Sequence, residues 1–184
     1  MQAEIPEVPG QKFEQDGNSV KIPLATEVSL KAEARYYTDE GDQLGRGPLP
    51  PTIGETTKYW IMVRVDNTSN AINTARFSTE LPLGVEFTGK QSVSIGPELK
   101  YNAVNHTVTW SYNLIPANSQ TGLYFEVAVT PTADQAGKNI QLTKAFSFSA
   151  TDDLINKNFS LAQNGLTNTL PASDMGSEKG STIK

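Results

Sequence analysis

Gly54-Glu55-Thr56-Thr57-Lys58-Tyr59-Trp60-Ile61-Met62-Val63-Arg64-Val65-Asp66-Asn67-Thr68-Ser69-Asn70 decides the fold class. Tyr59, Ile61, Val63 and Val65 form one face and Trp60, Met62 and Arg64 the other, the period of a β-strand. Apolar residues on both faces predict a central strand, or one whose outer face is partly covered. Asn67 to Asn70 is a polar turn, and Ile72 to Leu81 reads as the next strand. That strand runs into Leu81-Pro82-Leu83-Gly84-Val85-Glu86-Phe87, where Pro and Gly make a corner before a further short strand.

The same grammar extends both ways. Upstream, Val28, Leu30, Ala32, Ala34 and Tyr36 alternate with Ser29, Lys31, Glu33, Arg35 and Tyr37. Between the two strands, 39–54 is rich in Gly and Pro, which opposes regular pairing. Downstream, Ser92 to Ile95 is a short strand, and Leu99 to Tyr101 with Thr107 to Asn113 reads as a hairpin. Val108, Trp110, Tyr112 and Leu114 share the inner face of its second arm. Leu123, Phe125, Val127 and Val129 form another strand face, and Ile140 to Ala150 another strand. Short strands follow at Asn158 to Ala162 and Leu166 to Leu170. Ala133 to Ala136 is the one hint of a helical turn.

Nine to eleven short strands with Gly/Pro turns predict an all-β fold, an Ig-like Greek-key β-sandwich. Residues 18–171 form this single enlarged sandwich. Residues 1–17, with Pro6, Pro9 and Gly10, read as a linker or extended N-terminal arm, and 172–184 as a flexible C-terminal tail.

Composition narrows the function. No cysteine is present, which excludes disulfides, thiol catalysis and cysteine-based zinc sites. A net charge of −5 without a dense basic patch disfavours nucleic acid. No apolar run is long enough to span a membrane. The first residues lack the pattern of a signal peptide, as expected of a mature or excised domain, or of an ordinary cytosolic start.

Gly54, the Tyr59 to Val65 strand, Asn67-Thr68, Leu81 to Phe87, Tyr101 to Trp110 and Tyr124 to Val129 occur in a characteristic order. In that order they resemble the bacterial surface-repeat family known as domain of unknown function eleven. With Gly45 to Pro51 in front and Thr130 to Thr132 behind, the chain looks like envelope proteins of candidate-phylum bacteria. The likeness covers roughly 20–171. It implies an Ig-like module of stalks, adhesins and S-layer-like proteins, without catalytic residues. Thr79-Glu80 stands where many of that family carry an Asp before the Leu-Pro corner.

Several residues invite a chemical reading. Asp152 and Asp153, followed by Asn156, could bind calcium at one end of a sandwich; the alternative is solvated loop carboxylates. Lys144 stands in an apolar row with Ile140, Leu142, Phe146 and Phe148, the setting of an intramolecular isopeptide crosslink. A bulge or a snorkelling stem would instead turn it outward. Trp60, Tyr37 and Arg46 of the Gly45 to Pro51 loop could form a glycan-binding surface, although a sandwich of this size needs several aromatics as core. His106, the only histidine, reads as a turn residue.

The leading expectation is therefore a non-catalytic structural module of an extracellular or cell-surface protein. Its partners would be neighbouring domains, copies of itself or an envelope ligand, and it needs no cofactor beyond a candidate calcium. The alternative is an adhesin module binding glycan or a host surface. An enzyme is disfavoured, since one histidine and no cysteine leave only unplaced Asp/Glu pairs.

Overall fold

The computed structural model of the protein describes residues 22–184. The arm expected over 1–17 lies outside the described residues. Nine strands form: β1 (Val28–Arg35), β2 (Thr57–Asn67), β3 (Ile72–Glu80), β4 (Val85–Val93), β5 (Lys100–Asn102), β6 (Thr107–Ile115), β7 (Ser119–Val129), β8 (Phe146–Asp152) and β9 (Asn158–Gln163). They make two antiparallel sheets in the orders β1-β2-β7-β4 and β5-β6-β3-β8-β9. The expected all-β sandwich is what the chain forms. Ala133–Gln135 and Met175–Lys179 are single 3-10 turns.

The core lies where the period-two patterns meet. Tyr59, Ile61, Val63 and Val65 of β2 and Leu123, Phe125 and Val127 of β7 are fully buried. They face Phe77, Val108, Trp110, Phe146 and Phe148 of the other sheet. β2 and β7 pair over eleven positions, from Thr57↔Val129 to Asn67↔Ser119. Both are central strands, which explains the apolar residues on both faces of β2.

Four readings need correction. Ser92 to Ile95 is not a separate strand, because β4 continues to Val93 through a register shift between Phe87 and Gln91. Regular pairing of β8 begins only at Phe146. Ile140 and Leu142 are buried in a loop joined to Thr167 by one bridge, from Gln141, and Leu166 to Leu170 forms no strand. Leu114 faces out. Thr74 has a left-handed backbone (φ 51°) and the β3–β8 register shifts beside it. That change of phase buries Ile72 and Ile115 and leaves Leu114 half exposed.

The fourth correction concerns 172–184, expected as a flexible tail. It packs on the sandwich instead, with Asp174 fully buried and Ile183 3% exposed. Its last residues bridge two loops. Ile183 N–H donates to Lys138 O (3.1 Å), Lys184 N–H to Pro51 O (3.0 Å), and Ile53 N–H to Lys184 O (2.9 Å). These bonds satisfy backbone groups that sequence composition alone leaves unassigned.

Two glutamines close the open sides of the sandwich. Gln163 at the end of β9 reaches the free edge of β1. Ala32 N–H donates to its Oε1, and its Nε2 donates to Ala32 O, both at 2.7 Å. On the opposite side, Gln91 of β4 accepts from Leu99 N–H (2.6 Å) and donates to Leu99 O (3.3 Å). Each carboxamide copies a β-bridge and occupies edge groups that would otherwise pair with another chain. Gln163→Ala is expected to cost about 1–2 kcal/mol in chemical denaturation. It should also raise hydrogen exchange at Ala32, and unchanged exchange there would show that the clamp is not formed.

Candidate functional site

β2 runs the length of the module, roughly 33 Å. At its Asn67 end lie the lead-in to β1, the β2–β3, β6–β7 and β8–β9 turns, and Asp152. At its Thr57 end lie the 36–56 loop, the Leu81–Val85 corner, the β5–β6 turn and the C-terminal segment. Residue 22 therefore enters at one end, and Lys184 leaves at the other.

The entry end is organised by Asp152, which is 1% exposed. Its Oδ2 accepts from Thr26 N–H (2.7 Å) and Asn70 Nδ2 (2.9 Å), and its Oδ1 from Leu154 N–H (2.9 Å) and Ile155 N–H (3.2 Å). Burial pushes its carboxyl up, but these donors outweigh it and hold the group below the ordinary carboxylate range. Asn67 completes the lock. It accepts from Thr26 Oγ1 (2.9 Å) and donates to Asn70 O (2.8 Å) and Pro116 O (2.7 Å). The Asn-Thr turn is thus a knot of three turns and the incoming chain.

This geometry corrects the calcium reading of Asp152 and Asp153. A cation needs free oxygen lone pairs, whereas both Asp152 oxygens are occupied by N–H donors. Asp153 is exposed and accepts from Asn73 Nδ2 (2.7 Å). No group of three or more His, Asp or Glu side chains gathers for a metal among the described residues.

The crosslink reading of Lys144 fails on burial. The side chain is half exposed and pairs with the half-exposed Glu80, while Lys144 N–H donates to Glu80 O (2.8 Å). Ile140 and Leu142 lie in a loop and β8 begins only at Phe146, so alternation does not carry Lys144 inward.

Trp60, Tyr37 and Arg46 gather loosely at the exit end of the four-stranded sheet. Trp60 is half-buried on its outer face, paired with Arg35 of β1 and Glu126 of β7. Arg46 is exposed and bridges to Lys58, two residues before Trp60. The Tyr37 ring packs on Tyr36 (5.2 Å between centroids) and lies under Lys179 Nζ (5.4 Å). Arg35, the β1 partner of Trp60, is held by Glu33 (2.7 Å) and Asp39 (2.6 Å). The three residues share a neighbourhood but not a stacked platform.

Two acidic groups escaped the sequence reading. Glu126 is 1% exposed on the outer face, opposite the irregular part of β4. Lys90 Nζ lies 3.4 Å from its Oε2 and Lys58 Nζ 3.9 Å from Oε1, which accepts no hydrogen bond. Two lysines compensate the buried charge and tie the edge strand to the sheet. Its signal was a lone acid within the apolar run Leu123 to Val129. The second group, Asp174, accepts from Tyr36 N–H (2.7 Å), Tyr37 N–H (2.9 Å) and Gly176 N–H (2.7 Å). Its signal was a capping residue ahead of a short turn, easily missed in a Gly/Ser-rich segment.

No protein-family model matches the chain, and no curated protein matches it. Solved structures do. A variant of BcpA, the major pilin subunit of Bacillus cereus, superposes with a TM-score of 0.52 at 12% identity, covering 77% of this chain and 40% of that one. The full-length major pilin SpaD of Corynebacterium diphtheriae gives 0.50 at 14% identity, covering 77% and 34%. At such identity the likeness is one of fold. The chain spans well under half the length of these pilins. No helix among the described residues is long and apolar enough to cross a membrane.

Proposed function

We propose that the protein is a non-catalytic structural module of a bacterial surface assembly, a spacer, stalk unit or pilus-like subunit working outside the cell. The observation that carries this reading is the course of the chain. It enters a single sandwich at one end, leaves at the other, and is tied down at both by buried carboxylates. A unit joined in series through such ends carries load along its strands. The likeness to pilin domains supports the same reading, as does the ordered resemblance to domain of unknown function eleven. Membership of that family is part of the proposal.

An adhesin role is the second reading. It rests on the half-exposed Trp60 near Arg46 and calls for a glycan that stacks on one ring rather than on a platform. The test of the main reading is labelling of intact source cells with an antibody to the folded module. Labelling before lysis is the expected result, and labelling only after lysis would overturn it.

A further inference from the structure

Like charges directly opposite each other on paired strands destabilise a sheet. The outer face of β1-β2-β7-β4 carries such a pair. Lys31 of β1 stands opposite Arg64 of β2, and both are exposed. Neither makes an ion pair among the described residues. The acids around them are engaged elsewhere. Glu33 and Asp39 hold Arg35, and Asp66 accepts from Gln120 Nε2 (2.6 Å) and Ser29 Oγ (3.2 Å). In a chain of net charge −5, this is uncompensated positive charge at a fixed position.

Aromatic side chains continue from that pair along the same face. Arg64 is the register partner of Gly122 in β7, and the tip of the Tyr124 ring lies over that glycine. A Cβ there would come within 2.6 Å of Tyr124 Cζ and 2.7 Å of its Oη. Tyr124 in turn pairs with Met62, and Trp60 follows two residues along β2; all three are half-buried. Beyond Trp60, Lys58 and Lys90 share the single carboxylate of Glu126, which leaves one positive charge in excess there as well. The strip from Arg64 to Lys58 is about 20 Å long. The outer face of the other sheet differs in kind. Its pairs Ser78↔Thr109, Arg76↔Ser111 and Ser149↔Ser160 present hydroxyls where this face presents rings.

We propose that this face binds an acidic polysaccharide, with sugar rings packed on Trp60 and Tyr124 and carboxylate or phosphate groups of the polymer paired with Arg64 and Lys31. This deepens the adhesin reading and rests on it, and Tyr124 supplies the second ring that the Trp60–Arg46 corner lacks. Aromatic rings match the apolar faces of sugars, and an uncompensated cation pair matches an anion. A charged polysaccharide offers both along one line. Nucleic acid fits less well, because so few cations in an acidic chain release too few counterions.

Titration calorimetry of the full chain against polygalacturonate, hyaluronate and a wall teichoic acid tests this, with dextran and a DNA duplex as comparators. The expected result is binding to at least one of the acidic polysaccharides that weakens as salt rises, and none to dextran. Arg64→Gln and Trp60→Ala should each weaken that binding about tenfold, while Lys100→Gln on the other sheet leaves it unchanged. Because Lys31 and Arg64 repel each other, Lys31→Gln should weaken binding without lowering the melting temperature. A chain that binds none of the acidic polysaccharides would overturn the proposal. So would DNA bound as tightly, or a loss in Lys100→Gln as large as in Arg64→Gln, since both would show charge without a site. Dextran bound equally by wild type and Arg64→Gln would overturn it too, yet leave the adhesin reading standing.

Discussion

Asp152→Ala is expected to lower stability by about 3–5 kcal/mol, the scale for removing one member of a buried charged network. The substitution deletes the acceptor of four donors at once, from Thr26, Asn70, Leu154 and Ile155. Three of those donors are backbone N–H groups of partly buried contacts, and losing all of them together with the buried carboxylate is the costly part. Chemical denaturation measures the loss, and a change under about 1 kcal/mol would show that the knot at the entry end contributes little. The same carboxylate carries an acid signature. Its folded pKa is lowered, so its contribution is full above the unfolded value of about 3.9 and is lost as pH falls from there through the lower folded value. Wild type should therefore lose stability on acidification below about pH 4 more steeply than Asp152→Asn. Equal slopes would assign the acid sensitivity to other carboxylates.

Asp174→Ala is expected to cost about 2–4 kcal/mol and to do so locally. The side chain accepts from two consecutive N–H groups beyond β1 and caps its own turn, so its loss frees both the 36–37 backbone and the C-terminal segment. Hydrogen exchange separates this from general destabilisation. Amides of 176–184 should exchange far faster in the variant, while β2 and β7 stay protected. Retained protection of Ile183 and Lys184 would mean that the segment is held by its own backbone bonds and not by Asp174.

The sandwich was legible because its central strands obey one rule. From Tyr59 to Val65 of β2 and from Leu123 to Val129 of β7 each inward residue is apolar, and burial in β2 follows the period without exception over Tyr59 to Val65. The Asn67 turn and the Leu81 to Phe87 corner were legible for a related reason. Asn67 can satisfy three partners at once, and Gly84 adopts the positive φ (86°) that the corner requires.

The misreadings share a cause: tertiary context overrode local pattern. Lys144 sits in an apolar row, but it lies with Ile140 and Leu142 in the loop ahead of β8, where alternation has no meaning. Leu114 continues an inward series until Thr74 changes the phase, and nothing in the β6 sequence announces a left-handed residue on its partner strand. Asp152 has the composition of a cation ligand, but the spacing of its neighbours supplies N–H donors instead. The C-terminal segment reads as polar and weak because its stabilisation comes from Pro51, Lys138 and Tyr36, each distant in sequence. For the same reason the glutamine clamps could not be foreseen, since Gln163 and Ala32 stand 131 residues apart.

The most direct test of a load-carrying role is single-molecule pulling in two geometries. In one, force is applied through the two chain ends, so that the β1–β2 hydrogen bonds, perpendicular to the strands, are loaded in shear. In the other, it is applied across the sandwich through handles at Arg64 of β2 and Arg76 of β3, both exposed and on opposite sheets. A module built to work in series should resist distinctly higher force along the chain axis than across it. Asp152→Ala should lower the axial force while leaving the transverse force largely unchanged. Equal resistance in the two directions would contradict the role proposed here.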